Sequence, residues 1–392
     1  MTVILKERIK ILLMFFKSFI RTKILKYPVL YNVKKSRHKK RVLLAYLVPP
    51  FLGKLKNMHH NEIRNLLIAN ALDKAGFTID VIDVRAPQKP KIKKYDMIIG
   101  EWIDFKIKLN INDSVKIFFA SGKDHREHNQ TLKRRYEMLM RRRNVKLNPL
   151  GLLPERMPYV EVSNYIIGIG NRYTINKSYE RYSNIKKIFT LNNHIYKDTK
   201  VIRKRKPESK NNFMFISSFT PVRGGLDLLL EIFPKYRNLN LYILGYFSHD
   251  RDFCQIYKKE LFETPNIYPI GFVNVLSDEF YRIAEKCRFV IVPTCSEGQS
   301  SSILQSAGTG LIPITTKYSG IDVSEYKIGF EISDDISEIE KTIQKCEQIP
   351  EKELEEMSNH TAEICQKEFS EQKFEERFYN AIIEISRAEG II

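Results

Sequence analysis

Short apolar runs alternate with amphipathic stretches along most of this 392-residue chain. The run VLLAYLV at 42–48 is followed at 61–74 by apolar residues that recur with helical spacing and stop at Gly76. A second apolar run begins directly after that glycine, at 77–83. A strand, a helix and a strand over this length predict a βαβ unit, and such a unit requires a parallel sheet.

The same alternation continues toward the end of the chain. Further strands of a first set are predicted at 95–99, 115–120, 165–169 and 187–190, around a basic helix at 130–143. Strands of a second set are predicted at 212–216, 239–244, 267–270, 289–292 and 312–315. Helices accompany this second set at 225–233, 277–285, 336–348 and 371–385. The pattern predicts an α/β protein with two Rossmann-like, doubly wound domains that face an interdomain cleft.

Composition sets the expected domain boundaries. Residues 197–210 hold seven basic residues and no core pattern, which indicates a linker. Around it we predict four parts: a basic amphipathic segment at 1–40, a first Rossmann-like domain at 41–196, a second at 211–368, and a C-terminal helix at 369–392 that packs back toward the first domain.

Positive charge is concentrated at the N-terminus. Residues 1–40 contain twelve Lys or Arg and one acid, so they carry +11 of the net charge of +19. Four of these basic residues fall within about 60° of arc on a predicted helix at 4–25 that is rich in Ile, Leu, Phe and Met: Lys6, Lys10, Lys17 and Arg21. The longest charge-free run within 4–25 is 11–16, which is too short to cross a membrane. No cleavage pattern of a signal peptide is present.

A basic amphipathic helix of this kind is typical of a segment that lies on an anionic membrane surface. Packing on the protein's own surface, with the basic residues solvated, is the alternative. We expect this segment and the basic stretch at 133–143 to contact anionic lipid. Nucleic acid is not an expected partner, because the basic residues of 1–40 alternate with a wide apolar surface rather than with polar residues and single stacking aromatics.

Cysteine usage bears on the cellular compartment. The chain has five cysteines, an odd number, and no C-x-x-C pair. This pattern argues against a disulfide framework or a zinc site and favours a reducing compartment. We therefore expect a cytoplasmic protein, peripheral at the inner face of the plasma membrane.

The stretch VIVPTCSEGQSSSILQSAGTGLIPITTKYSG at 290–320 carries the candidate chemistry. A buried strand ends at Pro293, a polar loop then places Glu297 before Gly298, and serines at 300–302 begin a helix. A helix N-terminus at the carboxyl end of a strand offers N–H groups and a positive dipole end to phosphate. An acid beside such amides suits a ligand that has both phosphate and hydroxyl groups, such as a nucleotide-sugar.

Four segments of the second half carry a family resemblance: FMFISSFTPVRGGLDLLLEIF (213–233), LYILG (241–245), IYPIGFVNVLSDEFYRIAEKCRFVIVPTCSEGQSSSILQSAGTGLIP (267–313) and KYSGID (317–322). In order and spacing, residues 211–385 resemble the donor-binding domain of retaining glycosyltransferases with the GT-B fold, specifically glycosyltransferase family four. The resemblance implies transfer of a hexose, with retention, from a nucleotide-diphosphate sugar to a glycan or lipid-linked acceptor in cell-surface polysaccharide assembly.

The resemblance also implies donor-binding residues. Arg223, followed by Gly224, stands where the family has a basic residue that contacts the donor diphosphate, and a guanidinium can bind phosphate in a bidentate way. The family often has a second basic residue five positions earlier, where this chain has Ser218. Glu297 matches a glutamate that contacts sugar hydroxyls. Its partner, which contacts the ribose, is replaced by Gln305, at a cost of about 1 kcal/mol for the lost charge-assisted part of the hydrogen bond.

Other implied contacts come from the same loops. Gly271 and Phe272 stand where the family's base-binding loop lies. Backbone amides near the acid are expected to bind the sugar and phosphate: those of Gly298, Gln299, Ser300 and Ser301. The resemblance implies that the departing phosphate itself takes the acceptor proton and that this fold uses no D-x-D metal motif, so no metal and no cofactor are expected.

The first domain is expected to bind the acceptor. His125, in SGKDHREH after the strand at 115–120, loosely matches a histidine of the family's cleft, and His128 is a weaker rival. His59 and His60 are further candidates. The alternative is that these histidines are solvated loop residues without a role in binding. The departures at Ser218 and Gln305 keep a second function open, that of a non-catalytic GT-B scaffold in a glycan-assembly complex. The donor sugar, the base and the acceptor are not determined at this point.

Overall fold

The computed structural model describes residues 13, 16, 20, 27–53, 59–84, 89–92, 94–101, 113–155, 158–217 and 219–392. Most of the predicted amphipathic segment, with its four aligned basic residues, lies outside the described residues, and so does Ser218. Within the described ranges, no helix is long and apolar enough to cross a membrane.

Twelve strands and thirteen α-helices are present in the described residues. The strands are β1 (Lys40–Tyr46), β2 (Phe77–Asp83), β3 (Met97–Gly100), β4 (Val115–Ala120), β5 (Tyr165–Ile169), β6 (Lys187–Leu191), β7 (Asn212–Ile216), β8 (Asn240–Leu244), β9 (Ile267–Gly271), β10 (Phe289–Val292), β11 (Ile312–Thr315) and β12 (Phe330–Glu331). The helices are α1 (His60–Lys74), α2 (His125–Arg143), α3 (Pro158–Glu161), α4 (Lys177–Tyr179), α5 (Pro221–Gly224), α6 (Leu226–Ile232), α7 (Arg251–Ile256), α8 (Lys258–Phe262), α9 (Asp278–Lys286), α10 (Ser301–Gly308), α11 (Ile336–Gln348), α12 (Glu351–Glu368) and α13 (Glu371–Ala388). All eleven predicted strands are confirmed.

The chain forms two compact units. The N-terminal unit contains the described residues of 13–122, 154–194 and 371–392, and the C-terminal unit contains 123–153 and 195–370. We predicted a continuous first domain at 41–196, and the observed division differs because 123–153 groups with the second half of the chain.

The N-terminal unit is built on a parallel sheet with the strand order β2-β1-β3-β4-β5-β6. Val42 of β1 pairs with Ile79 on one side and Met97 on the other. β2 and β3 are buried along their whole length, and β1 along most of its length, because helices cover both faces of a parallel sheet. The C-terminal helix α13 belongs to this core, where the ring of Phe378 lies 6.3 Å from that of Phe119.

The C-terminal unit has a second parallel sheet, with the order β12-β11-β10-β7-β8-β9. The chain runs from β7 through β8 to β9 on one side of β7 and then returns to place β10 on its other side. The gap between the ends of β7 and β10 is therefore a topological switch point, the usual place for a ligand in an open α/β sheet.

Helix α2 is part of the C-terminal core. Its residues Leu132, Tyr136 and Leu139 are buried in the same cluster as the apolar residues of β7 and α6. Its basic end is paired with acids of this unit, because Arg142 contacts Asp227 at 2.5 Å and Arg143 contacts Glu260 at 2.7 Å. Arg142, Arg143 and the buried Arg135 are therefore engaged in the fold. The exposed Lys133, Arg134 and Arg141 are the residues of 133–143 for which contact with anionic lipid stays a prediction.

The predicted linker at 197–210 is packed structure rather than a free connection. The backbone N–H of Ile202 donates to the carbonyl of Thr309 at 3.0 Å. The buried Arg205 guanidinium donates to that same carbonyl and to the hydroxyl of Ser358. The packing of 197–210 could not be predicted from its basic composition. A buried arginine whose hydrogen bonds are satisfied leaves no apolar pattern in the sequence.

Helix α12 was not predicted, because its buried face is partly polar. Ser358 and Thr361 lie on that face, and their hydroxyls donate to the carbonyls of Gly310 and Ile328 at 2.5 and 2.9 Å. Polar residues that are satisfied in this way weaken the apolar periodicity on which a helix prediction depends.

Candidate functional site

The candidate site lies at the switch point of the second sheet, where the chain after β7 meets the acidic loop, defined as residues 293–300. The carbonyl of Arg223, in α5, accepts hydrogen bonds from the Cys295 N–H at 3.0 Å and the Thr294 hydroxyl at 3.1 Å. Arg223 Nη2 lies 3.4 Å from Glu297 Oε1, and the two side chains are 22% and 24% exposed. The structure thus brings together the two residues on which the predicted donor site depends.

Two glycines allow this close approach. Gly225 has φ +83°, and a Cβ there would lie 2.5 Å from the carbonyl oxygen of Pro293. Gly320 has φ +77°, and its Cβ would lie 1.5 Å from the carbonyl oxygen of Gly298. A side chain at either position would push the acidic loop away from its neighbours, so glycine is required for both conformation and space.

The chain after β11 holds the other side of the acidic loop. The Glu297 N–H donates to the Tyr318 carbonyl and the Ser300 N–H to the Ser319 carbonyl, each at 2.9 Å. The side-chain amide of Gln299 donates to the Gly320 carbonyl at 2.9 Å. The predicted role of the Ser300 amide needs correction, because that N–H already has a carbonyl acceptor. Gly298 and Ser301 lie in the loop and at the start of α10, as predicted from the sequence.

Gln305 does not face the site. The residue is 0% exposed, its amide oxygen accepts from the Tyr196 N–H at 3.1 Å, and its amide nitrogen donates to the Thr199 hydroxyl at 2.8 Å. The amide therefore tethers 196–199 to α10. This corrects the expectation that Gln305 contacts the ribose, because no part of its side chain is open to a ligand in this conformation.

The two histidines of α2, His125 and His128, were candidates for acceptor binding, and the structure shows what each of them contacts. His125 is 1% exposed, with Nδ1 3.2 Å from a carboxylate oxygen of Asp124, so its ring offers no surface to an acceptor in this conformation. His128 contacts the acidic loop, since Nδ1 lies 2.9 Å from the Ser296 hydroxyl and Nε2 lies 2.9 Å from the Gly151 carbonyl. A carbonyl can only accept, so Nε2 carries a proton, and in the neutral form of the ring Nδ1 accepts from the Ser296 hydroxyl.

Helix α2 also fixes the beginning of the acidic loop. Arg135 Nη2 donates to the Pro293 carbonyl at 3.0 Å, and the same guanidinium lies 3.7 Å from Asp334. Burial lowers the pKa of His128, and the positive charges of Arg223 and Lys123 lower it further. The sequence contained no local signal for these contacts, because they join residues about 160 positions apart.

Three stacked aromatic rings stand beyond the ends of β7, β8 and β9. The Tyr246 ring lies 4.6 Å from Phe219 on one side and 4.4 Å from Phe272 on the other, and all three planes are nearly parallel. Phe272 follows Gly271, which ends β9, and is 44% exposed. The outer ring of this stack is therefore open to a flat ligand, as the predicted base-binding position requires.

The remaining histidine candidates lie in the N-terminal unit. His59 caps α1, where its Nδ1 accepts from the Asn61 N–H at 3.2 Å. His60 is buried with its ring 4.9 Å from that of His194, and burial holds its pKa well below the usual range. Both positions are explained by the capping and packing of α1.

The sequence and fold of the site-bearing region agree with a known family. Residues 210–347 match the family model Glycosyl transferases group 1. This match confirms the resemblance, and the group 1 region contains Arg223, the acidic loop and the aromatic stack. No curated protein matches the chain significantly.

Solved structures with the same fold cover most of the chain. Sucrose-phosphate synthase from Thermosynechococcus elongatus has a TM-score of 0.62 at 12% identity, over 89% of this chain and 99% of that chain. HepE from Anabaena, in complex with UDP and glucose, has a TM-score of 0.57 at 11% identity, over 88% and 99%. TarM of S. aureus has a TM-score of 0.53 at 14% identity over 81% of this chain, which spans 57% of the length of TarM. The predicted GT-B fold with two Rossmann-like domains is confirmed.

Proposed function

We propose that this protein transfers a hexose from a nucleotide-diphosphate sugar to a glycan or lipid-linked acceptor, with retention, in cell-surface polysaccharide assembly. The observation that supports this most is the Arg223–Glu297 pair. Helix α5 and the acidic loop, which are far apart in sequence, place a guanidinium and a carboxylate together at a switch point, within the region that matches group 1 glycosyl transferases. That pair suits a ligand with phosphate and hydroxyl groups.

Each part of the donor has a candidate partner. The Arg223 guanidinium binds the diphosphate, and the Glu297 carboxylate accepts hydrogen bonds from sugar hydroxyls. The exposed face of Phe272 stacks on the base. The complex of HepE with UDP and glucose supports this ligand class, since HepE has the same fold.

The chemistry requires no protein nucleophile. An acceptor hydroxyl oxygen attacks the anomeric carbon on the face from which the diphosphate departs, so the configuration is retained. The bond between that carbon and the phosphate oxygen breaks, and the hydroxyl proton moves to a phosphate oxygen. The protein positions the two substrates and stabilises negative charge on the leaving group, with no metal or cofactor proposed.

The acceptor side is proposed to involve a membrane. The basic amphipathic segment at 1–40 would hold the protein at the inner face of the plasma membrane, where a lipid-linked acceptor is exposed to the cytoplasm. The aligned basic residues of that segment support this proposal.

The test of the donor site is transfer and donor hydrolysis by the purified full-length chain with a panel of UDP- and GDP-sugars. Glu297→Ala is expected to lower the rate by about 100-fold, because a charge-assisted hydrogen bond to the donor is lost. Glu325→Ala removes an exposed acid from the same unit and is the matched control. If Glu297→Ala retains the parental rate while the control is also unchanged, the assignment of Glu297 is wrong.

A non-catalytic scaffold is the second candidate function. The observation that favours it is the buried amide of Gln305, which holds 196–199 instead of facing a ribose. Calorimetry with UDP and GDP separates the two candidates. Absence of binding at millimolar concentration favours the scaffold, and binding that is weakened by Arg223→Met favours the enzyme.

A further inference from the structure

A buried lysine lies beside the acidic loop. Lys123 directly precedes the N-cap of α2 and is 6% exposed. Its ammonium nitrogen stands 4.1 Å from the centre of the Tyr318 ring, and that of Lys317 stands 5.4 Å from the same ring. Within the described residues, no carboxylate lies within 4 Å of Lys123 Nζ.

The surroundings of this ammonium group favour an additional anion. An aromatic face attracts a cation but does not neutralise its charge. Burial lowers the pKa of Lys123, an effect that Glu127 partly opposes and Lys317 reinforces. A buried charge without a close counter-ion is costly, so an anionic ligand at this place would be stabilised.

Lys123 and Arg223 act on the same loop. The carbonyl of Tyr318, whose ring lies under Lys123, accepts the N–H of Glu297 at 2.9 Å. The positive charges of Lys123 and Arg223 both act on His128, which contacts Ser296, and both act on the thiol of Cys295. Lys123 lies over the ring of a residue that holds the acidic loop, and Arg223 lies beside Glu297 in that loop. The two cations are 100 residues apart in sequence.

The donor site needs a second cation. Arg223 is already paired with Glu297, and a nucleoside diphosphate carries at least two negative charges. Serine occupies position 218, where the resembling family often has its second basic residue. One guanidinium that shares its charge with a carboxylate leaves part of the diphosphate charge unmatched.

We propose that Lys123 supplies this second positive charge and contacts an oxygen of the donor diphosphate. The inference rests on the proposed function. Lys123 is far from the acidic loop in sequence, so the motif of that loop does not point to it. The ammonium group acts as a compact point charge, which stabilises the diphosphate both when bound and as it leaves the sugar. Lys123 itself transfers no proton and forms no covalent bond.

The experiment compares a nucleoside with its diphosphate on the full-length protein. Dissociation constants of UDP and uridine, and of GDP and guanosine, are measured by ligand-observed NMR for the parent, Lys123→Met and Lys123→Arg. Lys123→Met is expected to weaken diphosphate binding at least about tenfold and to leave nucleoside binding unchanged. Lys123→Arg keeps the charge and is expected to stay within about threefold of the parent. Lys133→Met, an exposed position on α2, is the matched control.

A merely structural role for Lys123 would change both ligands alike. The inference is overturned if Lys123→Met weakens nucleoside and diphosphate by the same factor, or weakens neither while Arg223→Met weakens the diphosphate. If neither diphosphate binds to the parent protein, the proposed function itself fails. If circular dichroism shows that Lys123→Met does not fold, Lys123→Gln replaces it. The criterion stays the change in the dissociation constant of the diphosphate relative to that of the nucleoside.

Discussion

At the scale of single residues, the candidate site separates ligand-facing from structural side chains. Arg223 and Glu297 are partly exposed at the switch point, whereas Gln305 and His125 are buried. All four were candidates on sequence alone. Burial and hydrogen bonding divide them, because a fully buried amide that already has its partners has no group left for a ligand.

Replacement of Gln305 by glutamate, the residue that the family resemblance implies at this position, is expected to destabilise the protein and not to improve turnover. A buried carboxylate would lose the amide N–H that now donates to Thr199 and would be desolvated. We expect Gln305→Glu to lower the free energy of unfolding by about 2–3 kcal/mol at neutral pH, measured by urea denaturation. The loss shrinks as pH falls and the carboxyl takes a proton. Higher transfer activity at unchanged stability would show that position 305 does face the donor.

Two buried histidines predict a loss of stability in mild acid. Burial lowers the pKa of His60 and of His128, so each binds a proton less readily in the folded chain than in the unfolded chain. The unfolded state therefore holds more protons below about pH 6.5, and stability falls as pH drops through that value. We expect each histidine to contribute up to about 1 kcal/mol of this loss between pH 7.5 and 5.5 in urea denaturation.

The corresponding variants identify the source of this pH dependence. His60→Asn and His128→Asn are each expected to flatten the pH dependence of the unfolding free energy. The exposed His360→Asn serves as control and should leave it unchanged. A pH dependence that survives both replacements would place its origin elsewhere.

At the scale of elements, α2 is the support of the acidic loop. Arg135 holds the Pro293 carbonyl and His128 holds the Ser296 hydroxyl, so one helix fixes the loop at two points. The same helix is anchored in the C-terminal unit by Arg142, which pairs with the buried Asp227. An element from the first half of the chain thus determines the shape of a loop in the second half.

Breaking the α2 anchor is expected to be costly. Burial raises the pKa of Asp227, and Arg142 and Arg135 oppose that rise. Arg142→Met leaves a buried carboxylate with less compensation, so we expect a loss of about 3 kcal/mol in the free energy of unfolding by urea. The exposed neighbour Arg141→Met should cost less than about 0.5 kcal/mol. The double variant with Asp227→Asn should recover part of the loss, and purely additive effects would argue against the pair.

At the scale of the whole molecule, the net charge of +19 has two different uses. At the basic end of α2, Arg142 forms an ion pair with Glu231 and Arg143 forms one with Glu260, both inside the C-terminal unit. The basic residues of 1–40 outnumber the acids of that segment twelve to one, so they cannot be matched locally. The total charge alone would not distinguish a surface for lipid from internal salt bridges.

The membrane proposal predicts a charge-dependent affinity for vesicles. Replacing Lys6, Lys10, Lys17 and Arg21 by Gln should weaken binding to vesicles with phosphatidylserine by about 100-fold or more, since each charge near the surface contributes about 1 kcal/mol. Sedimentation with vesicles measures this. The exposed residues of α2 provide the control, a variant with Lys133→Gln, Arg134→Gln and Arg141→Gln. Equal losses in both variants would contradict a specific role of the N-terminal segment.

The sequence by itself determined the two sets of parallel strands, because buried strands of an α/β protein are short continuous apolar runs bounded by turn residues. It also singled out Arg223 and Glu297, whose local motifs resemble a known family. Only the tertiary structure decided that α2 packs in the C-terminal unit, that Gln305 is a tether, and that Lys123 lies beside the acidic loop. These contacts join residues that are 85 or more positions apart in the chain. Local periodicity carries no information about which distant surfaces a buried face or a buried charge will meet.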